Sequence, residues 1–331
     1  MSTIKLLHIS DLHISKYPNL LQWKNRPLNP TSPGNRWDAI HNGNYAASHS
    51  PGKLKALVSL AYGMRNSLKA ILITGDIATT GLDFDLDTAL PFIEGPPYPQ
   101  DVRMTLAGGA TISGLGAPIH LLPGNHDRYK LVLKRAGYAP GNRVFHTKFG
   151  KYWTNDVKTY EVIEPDFAVA IIAADFSLRS FTDSDPIWPP NWHAQGKIYD
   201  DILTTLESET RAFRKKHESD RVVYIIWAVH FPPVYPRIER YMRLLDDDRL
   251  VTSANNNCIS LIVSGHTHDP LEYSSPRMKF RVLCAGSASQ EDCPEGNHCQ
   301  LISLENVSAR VAVNIVHYRL EDGPPPAFVQ V

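Results

Sequence analysis

Residues 119–127 read Ile119-His120-Leu121-Leu122-Pro123-Gly124-Asn125-His126-Asp127. A short apolar run stops at a proline and a glycine, and Asn, His and Asp follow at once. A run of that length bounded by turn residues has the pattern of a buried strand, so the polar cluster falls just past the strand's carboxyl end. Four other stretches repeat this design. Ile4-Lys5-Leu6-Leu7-His8-Ile9 leads to Asp11-Leu12-His13, and Ala70-Ile71-Leu72-Ile73 leads to Gly75-Asp76. The apolar run 222–229 leads to His230, and 259–263 leads to Gly265-His266-Thr267-His268. Asp, Asn and His are hard or borderline ligands for divalent metals. Ligands at the carboxyl ends of neighbouring strands converge on one crevice, where open α/β sheets place their sites. Asp11, His13, Asp76, Asn125, His230, His266 and His268 together describe a two-metal hydrolytic centre.

In order, the blocks are D-x-H, G-D, G-N-H-D, H and G-H-x-H. This series resembles the calcineurin-like metallophosphoesterase superfamily, from residue 11 to residue 268. Each block alone is weak, and a single strand-end His is more often structural than a ligand; the joint occurrence gives the signal its specificity. A second G-N-H at Gly296-Asn297-His298 follows a polar stretch rather than a strand, and reads as a loop accident. The alternation of strands and helices argues by itself for an α/β class with a largely parallel core. The resemblance, which covers about residues 4–290, sharpens this to a two-sheet β-sandwich flanked by helices, a four-layer αββα arrangement.

The resemblance also implies roles. Asp76 matches the family's bridging carboxylate, and Asp11, His13 and His268 hold the first ion with it. Asn125, His230 and His266 hold the second, with the Asn125 amide free to meet a phosphate oxygen. The split of His266 from His268 is read here as two residues on an extended segment pointing the same way. His126 resembles the catalytic histidine beside the leaving group, and Asp127 is read as its orienting partner or as a loop residue. Metals lower the pKa of water towards ~7, and the resulting hydroxide attacks phosphorus in line. The cofactors implied are two divalent ions, Mn²⁺, Fe²⁺/Fe³⁺ or Zn²⁺.

The opening Leu7-His8-Ile9-Ser10-Asp11-Leu12-His13 and the Asp after His126 resemble the cyclic-nucleotide and glycerophosphodiester branch, which implies a phosphodiesterase. The alternative is a phosphomonoesterase acting on a small metabolite. The stretch Gly75-Asp76-Ile77-Ala78-Thr79-Thr80-Gly81 departs from the G-D-x-x-D-R-G of protein Ser/Thr phosphatases. A nuclease of the break-repair type needs a capping domain and a coiled coil that this chain lacks. A non-catalytic scaffold on the same fold typically loses the ligands that are all present here.

The chain has 331 residues, 43% of them apolar, with 34 basic and 34 acidic side chains. A balanced charge argues against a dedicated nucleic-acid surface. No apolar run is long enough to span a membrane and no signal peptide is visible, so a cytoplasmic protein acting on a small phosphoester is expected. Cys258, Cys284, Cys293 and Cys299 then read as reduced thiols. Cys284, Cys293, His298 and Cys299 could hold zinc, but at no regular spacing. His8, inside the first strand, reads as a buried, hydrogen-bonded histidine.

The whole chain reads as a single domain, residues 1–331. Its interruptions are a Pro- and Gly-rich excursion at 14–52 and irregular stretches at 94–117 and 176–196. The excursion leaves directly from His13, so Trp23 and Arg26 are candidate substrate contacts, with Arg36, Trp37, His41 and Asn44 beside them. Helices are expected over residues 53–67, 86–90, 197–216 and 236–250. The Asp246-Asp247-Asp248 run is read as the solvated end of the last. A calcium loop at Asp83, Asp85 and Asp87 is disfavoured, because the Gly and terminal Glu positions are wrong.

Overall fold

The structure is a computed structural model, and it describes residues 2–15, 49–81, 83–95, 111–128, 143–180, 183, 194–237, 242–290, 293–308 and 310–331. Most of the 14–52 excursion, and Trp23 and Arg26 with it, lies outside the described residues, as do Trp188, Trp192 and His193.

Two six-stranded sheets carry the fold. The first is built from β1 (Thr3–Ile9), β2 (Leu68–Thr74), β3 (Ile119–Leu122), β12 (His298–Val307), β13 (Arg310–Glu321) and β14 (Ala327–Gln330). Its order is β14-β13-β12-β1-β2-β3, with β1, β2 and β3 parallel and β12 antiparallel to β1. The second contains β4 (Val157–Glu164), β5 (Phe167–Ala174), β7 (Val222–Val229), β9 (Leu261–Ser264), β10 (Pro270–Tyr273) and β11 (Arg281–Ala285). Its order is β10-β11-β9-β7-β5-β4, parallel through the middle and antiparallel at both edges. A small parallel pair, β6 (Gly196–Lys197) and β8 (Leu244–Leu245), lies apart.

Alternation along the strands explains why the sheets stack. In β5, Phe167, Val169, Ile171 and Ala173 join the cluster shared with the first sheet. Ala168, Ala170, Ile172 and Ala174 join a second cluster with Ile202, Leu206 and Phe213 of helix α4 (Asp200–His217). A strand buried on both faces cannot alternate polar with apolar, so β5 and β7 read as continuous apolar runs. Helix α4 carries Asp200 and Asp201 in its first turn and Arg214, Lys215, Lys216 and His217 in its last, a distribution that complements the macrodipole. Helix α1 (Pro51–Met64) begins with proline, where the missing N–H costs nothing, and buries Leu54, Leu57 and Ala61. Helix α2 (Asp83–Glu94) is longer than expected and continues through Pro91. The remaining helices are α3 (Arg143–Phe149) and α5 (Asp247–Asn256).

Two expectations are corrected. No α-helix occupies the described part of residues 236–246; the α-helix of this region is α5. Asp246 has a left-handed backbone, and Asp247 and Asp248 open the helix, where the dipole favours negative charge. The acidic run is a helix start, not a solvated end. The C-terminal region completes the first sheet: β13 alternates exposed with half-buried residues, Val311, Val313 and Ile315 packing on the core, and β14 adds an edge strand. No helix among the described residues is long and apolar enough to cross a membrane.

Candidate metal centre

Each block sits past the end of a parallel strand: Asp11 and His13 after β1, Asp76 after β2, Asn125 and His126 after β3. His230 follows β7, and His266 and His268 follow β9. The first three strands belong to one sheet and the last two to the other, so the centre straddles both. The backbone ties the loops together. Asp11 N–H donates to Gly75 O at 3.1 Å, His13 N–H to Asp76 O at 2.9 Å, and Gly265 N–H to His230 O at 3.1 Å. Across the sandwich, His266 N–H reaches the Asp11 carboxylate at 3.0 Å.

Two groups of potential ligands result. Asp11, His13, Asp76 and His268 each bring an atom within 4.8 Å of the others, and so do Asp76, His230 and His266. Asp76 belongs to both. Its Oδ2 lies 3.3 Å from His230 Nε2, and its Oδ1 accepts the His126 N–H at 2.8 Å. Asn125 Oδ1 lies 3.0 Å from His230 Nε2 and 3.1 Å from His266 Nδ1.

The proton inventory shows that these atoms fit cations. His230 Nδ1 donates to Thr74 O at 2.7 Å, and His266 Nε2 donates to Met242 O at 2.8 Å. In the neutral rings the remaining nitrogens therefore present lone pairs, and both face the carbonyl oxygen of Asn125. With both rings neutral, three electron-rich atoms converge with no proton among them, an arrangement a divalent cation relieves. His13 Nε2 and His268 Nε2 stand 3.0 Å apart in the other group, with His268 Nε2 3.3 Å from Asp11 Oδ1.

Without ions, protons adjust to the crowding. Burial alone would raise Asp76, but the imidazoles of His230 and His126 hold it well below the usual carboxylate range. Burial opposes a charge on His230, yet Asp76 outweighs it and lifts the ring to about 9. Burial, reinforced by His230, pushes His266 down to about 3. His13 is also pushed well down, first by burial and then by His126 and His268. Neutral imidazole is the ligating form.

The backbone of the centre is unusual. Asp11, His13, Asp76, His266 and His268 all have positive φ, between 49° and 72°. Non-glycine residues rarely adopt this region, and clusters of them mark functional sites. The extended-segment account of His266 and His268 is thereby corrected: both stand on left-handed turns, which aim the two rings at different groups. Glycine is a packing requirement here. A Cβ at Gly265 would lie 1.8 Å from Ser10 Oγ, and one at Gly75 would lie 2.4 Å from His230 Nδ1.

His126 and Asp127 part company. His126 Nδ1 donates to Thr79 O at 2.8 Å, and its Nε2 lies 4.0 Å from Asp76 Oδ2. Asp127 accepts the N–H groups of Ile77, Ala78 and Gly124 at 3.1, 2.8 and 2.9 Å. The reading of Asp127 as the orienting partner of His126 gives way to a brace between two site loops, with the Thr79 carbonyl holding the ring. Burial and the Asp76 charge, opposed by those three N–H groups, push Asp127 up to about 7. Burial lowers His126, with Asp76 pulling the other way.

Sequence reasoning missed the polar braces. Ser287 Oγ and Ser289 Oγ donate to the carbonyls of Asp11 and Leu12 at 2.7 and 2.6 Å. Arg128 is buried and donates through Nε and its terminal nitrogen to Asp175. Ser, Thr and Arg outside a motif carry no sequence signal of such partners. His8 is buried between Gln300 and Thr74 at 3.0 Å each. The second G-N-H follows no strand but is not an accident: Asn297 is buried and donates to Ser287 O and Gln290 O, bracing the loop whose Ser287 hydroxyl holds Asp11. Cys284, Cys293, His298 and Cys299 make no ligand group among the described residues: Cys284 contacts Ser264, Cys293 the His268 carbonyl and His298 the Glu295 carbonyl.

A family model described as calcineurin-like phosphoesterase matches residues 4–270. The chain belongs to the calcineurin-like phosphoesterase family. The family uses a dinuclear metal centre, and this member clusters potential metal ligands in two groups among its described residues. Its two mixed sheets with flanking helices are the α/β metallo-dependent phosphatase fold. A dimetal phosphatase from Danio rerio aligns with a TM-score of 0.54 at 12% identity over 95% of each chain. A purple acid phosphatase from yellow lupin (Lupinus luteus) seeds aligns at 0.50, with 11% identity over 96% of this chain and 52% of that one. At these identities the likeness is one of fold. No curated protein matches the sequence.

Proposed function

We propose that this family member hydrolyses phosphodiesters at a dinuclear centre held by Asp11, His13, Asp76, Asn125, His230, His266 and His268. The observation that carries the reading is the pair of ligand groups sharing Asp76. A carboxylate common to both groups is what two closely spaced cations need, since one anionic donor screens both. When bound, the ions supply Lewis acidity towards the phosphoryl oxygens and lower the pKa of water. The family membership supports phosphoric ester hydrolysis; the diester preference and the metals Mn²⁺, Fe²⁺/Fe³⁺ or Zn²⁺ belong to this proposal.

His126 is the general acid. With Nδ1–H held by Thr79 O, its Nε2 points at the cluster, where a proton at that atom would pass to the leaving alkoxide. Asp76 Oδ2 favours that second proton and burial opposes it. The Asn125 amide nitrogen is left to meet a phosphoryl oxygen.

The diester preference rests on charge. A monoester dianion usually needs an extra cation, and the cation closest in sequence to the blocks is committed elsewhere. Arg128 is buried against Asp175, with Asp156 at 3.7 Å. Arg179, a second candidate, is taken by Asp201 and Asp156 at 2.6 and 3.0 Å. The deciding measurement is kcat/KM on bis(p-nitrophenyl) phosphate against p-nitrophenyl phosphate, using stripped protein reloaded with one metal at a time. A ratio favouring the monoester overturns the preference and promotes the phosphomonoesterase; no hydrolysis of either ester with any metal overturns the enzyme. Trp23 and Arg26 keep their proposed role in substrate choice. Their Ala variants are expected to raise KM more than they lower kcat.

A further inference from the structure

We infer that Asp85 is a positioning residue for this reaction: through Thr80 it fixes the turn whose Thr79 carbonyl orients His126. The inference rests on the role proposed above for His126. Asp85 is fully buried in the first turn of α2 and belongs to neither ligand group. A carboxylate out of water must be satisfied by hydrogen bonds. Ser15 Oγ donates to Oδ1 at 2.9 Å, and Thr80 Oγ1 donates to Oδ2 at 2.6 Å. Ser15 follows the Asp11 block and Thr80 follows the Asp76 block, so one carboxylate joins two site loops.

The link to His126 is short. Thr79 O and Thr80 N belong to one planar peptide unit. Anchoring the Thr80 side chain therefore restrains the plane that carries the acceptor of His126 Nδ1, 2.8 Å away. Thr79 is held from its other side: its N–H donates to Ile14 O at 3.0 Å and its Oγ1 to His13 O at 2.5 Å. Asp127 grips Ile77 and Ala78 of the same turn. Two buried carboxylates thus hold the turn over residues 77–80 at its two ends, and Asp85 holds the end that touches the acid. The sequence reading met Asp85 as one of three alternating acids in a disfavoured calcium loop. Its neighbour Asp87 does pair outward with Lys148 at 2.5 Å, while Asp85 points inward to the site loops.

The test compares the wild type with Asp85→Ala, the milder Thr80→Val, and His126→Ala, all on the full metal-loaded chain. Each is assayed on a diester with a p-nitrophenolate leaving group and one with an alkoxide. A general acid matters most for the poor leaving group, and its removal costs roughly 10²- to 10⁴-fold. Asp85→Ala and Thr80→Val are expected to keep two ions per chain and hydrolyse the nitrophenyl ester within about twofold of wild type, while losing on the order of tenfold on the alkyl ester. Imidazole ¹⁵N NMR, with His126 assigned by difference from its variant, should show the Nδ1–H tautomer in wild type and its loss in both. Equal losses on the two esters, or an unchanged His126 tautomer, overturn the inference. A wild type inactive on both esters overturns the functional reading instead, and the ¹⁵N signal still decides whether Asp85 holds the ring.

Discussion

Gly124→Ala adds one carbon beside Asp76, the carboxylate common to both ligand groups. A Cβ at residue 124 would lie 2.1 Å from Asp76 Oδ1, 2.5 Å from Asp76 N and 2.8 Å from Asp76 Cγ. Nonbonded heavy atoms rest about 3.5 Å apart, so the carboxylate or the loop must retreat by roughly 1.4 Å. Neither can do so freely. Oδ1 is held by the His126 N–H at 2.8 Å, and Gly124 N–H is bound to Asp127 at 2.9 Å. Overpacking of this kind costs about 1–3 kcal/mol, and a misplacement of about 1 Å at a reacting centre can cost ~10²-fold in rate. Because Asp76 serves both ligand groups, metal content should fall below two ions per chain. Gly63→Ala is the matched control: its site in α1 is exposed, and an added Cβ meets nothing within 4 Å. That variant should gain about 0.5–1 kcal/mol. The assay is thermal melting, metal analysis and ester hydrolysis on both variants. A Gly124→Ala protein that keeps two ions, its melting temperature and wild-type kcat/KM refutes the reasoning.

Asp76→Ala should lose most of both ions and nearly all activity; metal analysis that finds two ions in the purified variant would sink the bridging role. Arg128→Ala leaves Asp175 buried without its charge partner, so a loss of about 3–5 kcal/mol is expected in urea melts, and Arg128→Met combined with Asp175→Leu should recover most of it; equal losses in the single and double variants would argue against the pair. Metal uptake should release protons. In the metal-free protein His230 is raised to about 9, so its pairing with Asp76 stabilises that form fully below its unfolded value of 6.5 and is lost as pH climbs through 9. Ligation needs the neutral ring, and apparent metal affinity should therefore climb by about tenfold per pH unit over this window; a flat affinity between pH 6.5 and 8.5 contradicts the assignment.

The ligands were legible because each sits one to five residues past an apolar run, and such runs bury in only a few ways. The sandwich was not legible from pattern alone. β5 and β7 look continuously apolar whether their faces meet a helix or a second sheet, so only the family resemblance separated the two. The left-handed turns at Asp11, His13, Asp76, His266 and His268 left no trace, since non-glycine residues there are the improbable choice that surrounding structure enforces. The motif could not show which neighbour would orient His126. That answer depends on Thr79, 47 residues away in sequence, presenting a carbonyl. α5 was misplaced because an acidic triplet reads equally as the start of a helix or as a polar end.

The pairing of β1 with β12 bears on how this molecule acquires its site. Thr3 lies opposite Glu305 and His8 opposite Gln300, so β1 gains one of its neighbours only after the chain has been made as far as residue 305. During synthesis β1 can bind β2 but must carry an open edge in the meantime, and open apolar edges recruit other chains. Contacts this distant in sequence form slowly. Asp11 and His13 ride on that strand, and the Ser287 and Ser289 hydroxyls that hold their loop come just before β12. Maturation of the centre is then a late event, and a nascent chain stalled before residue 298 should neither retain metal nor stay monomeric.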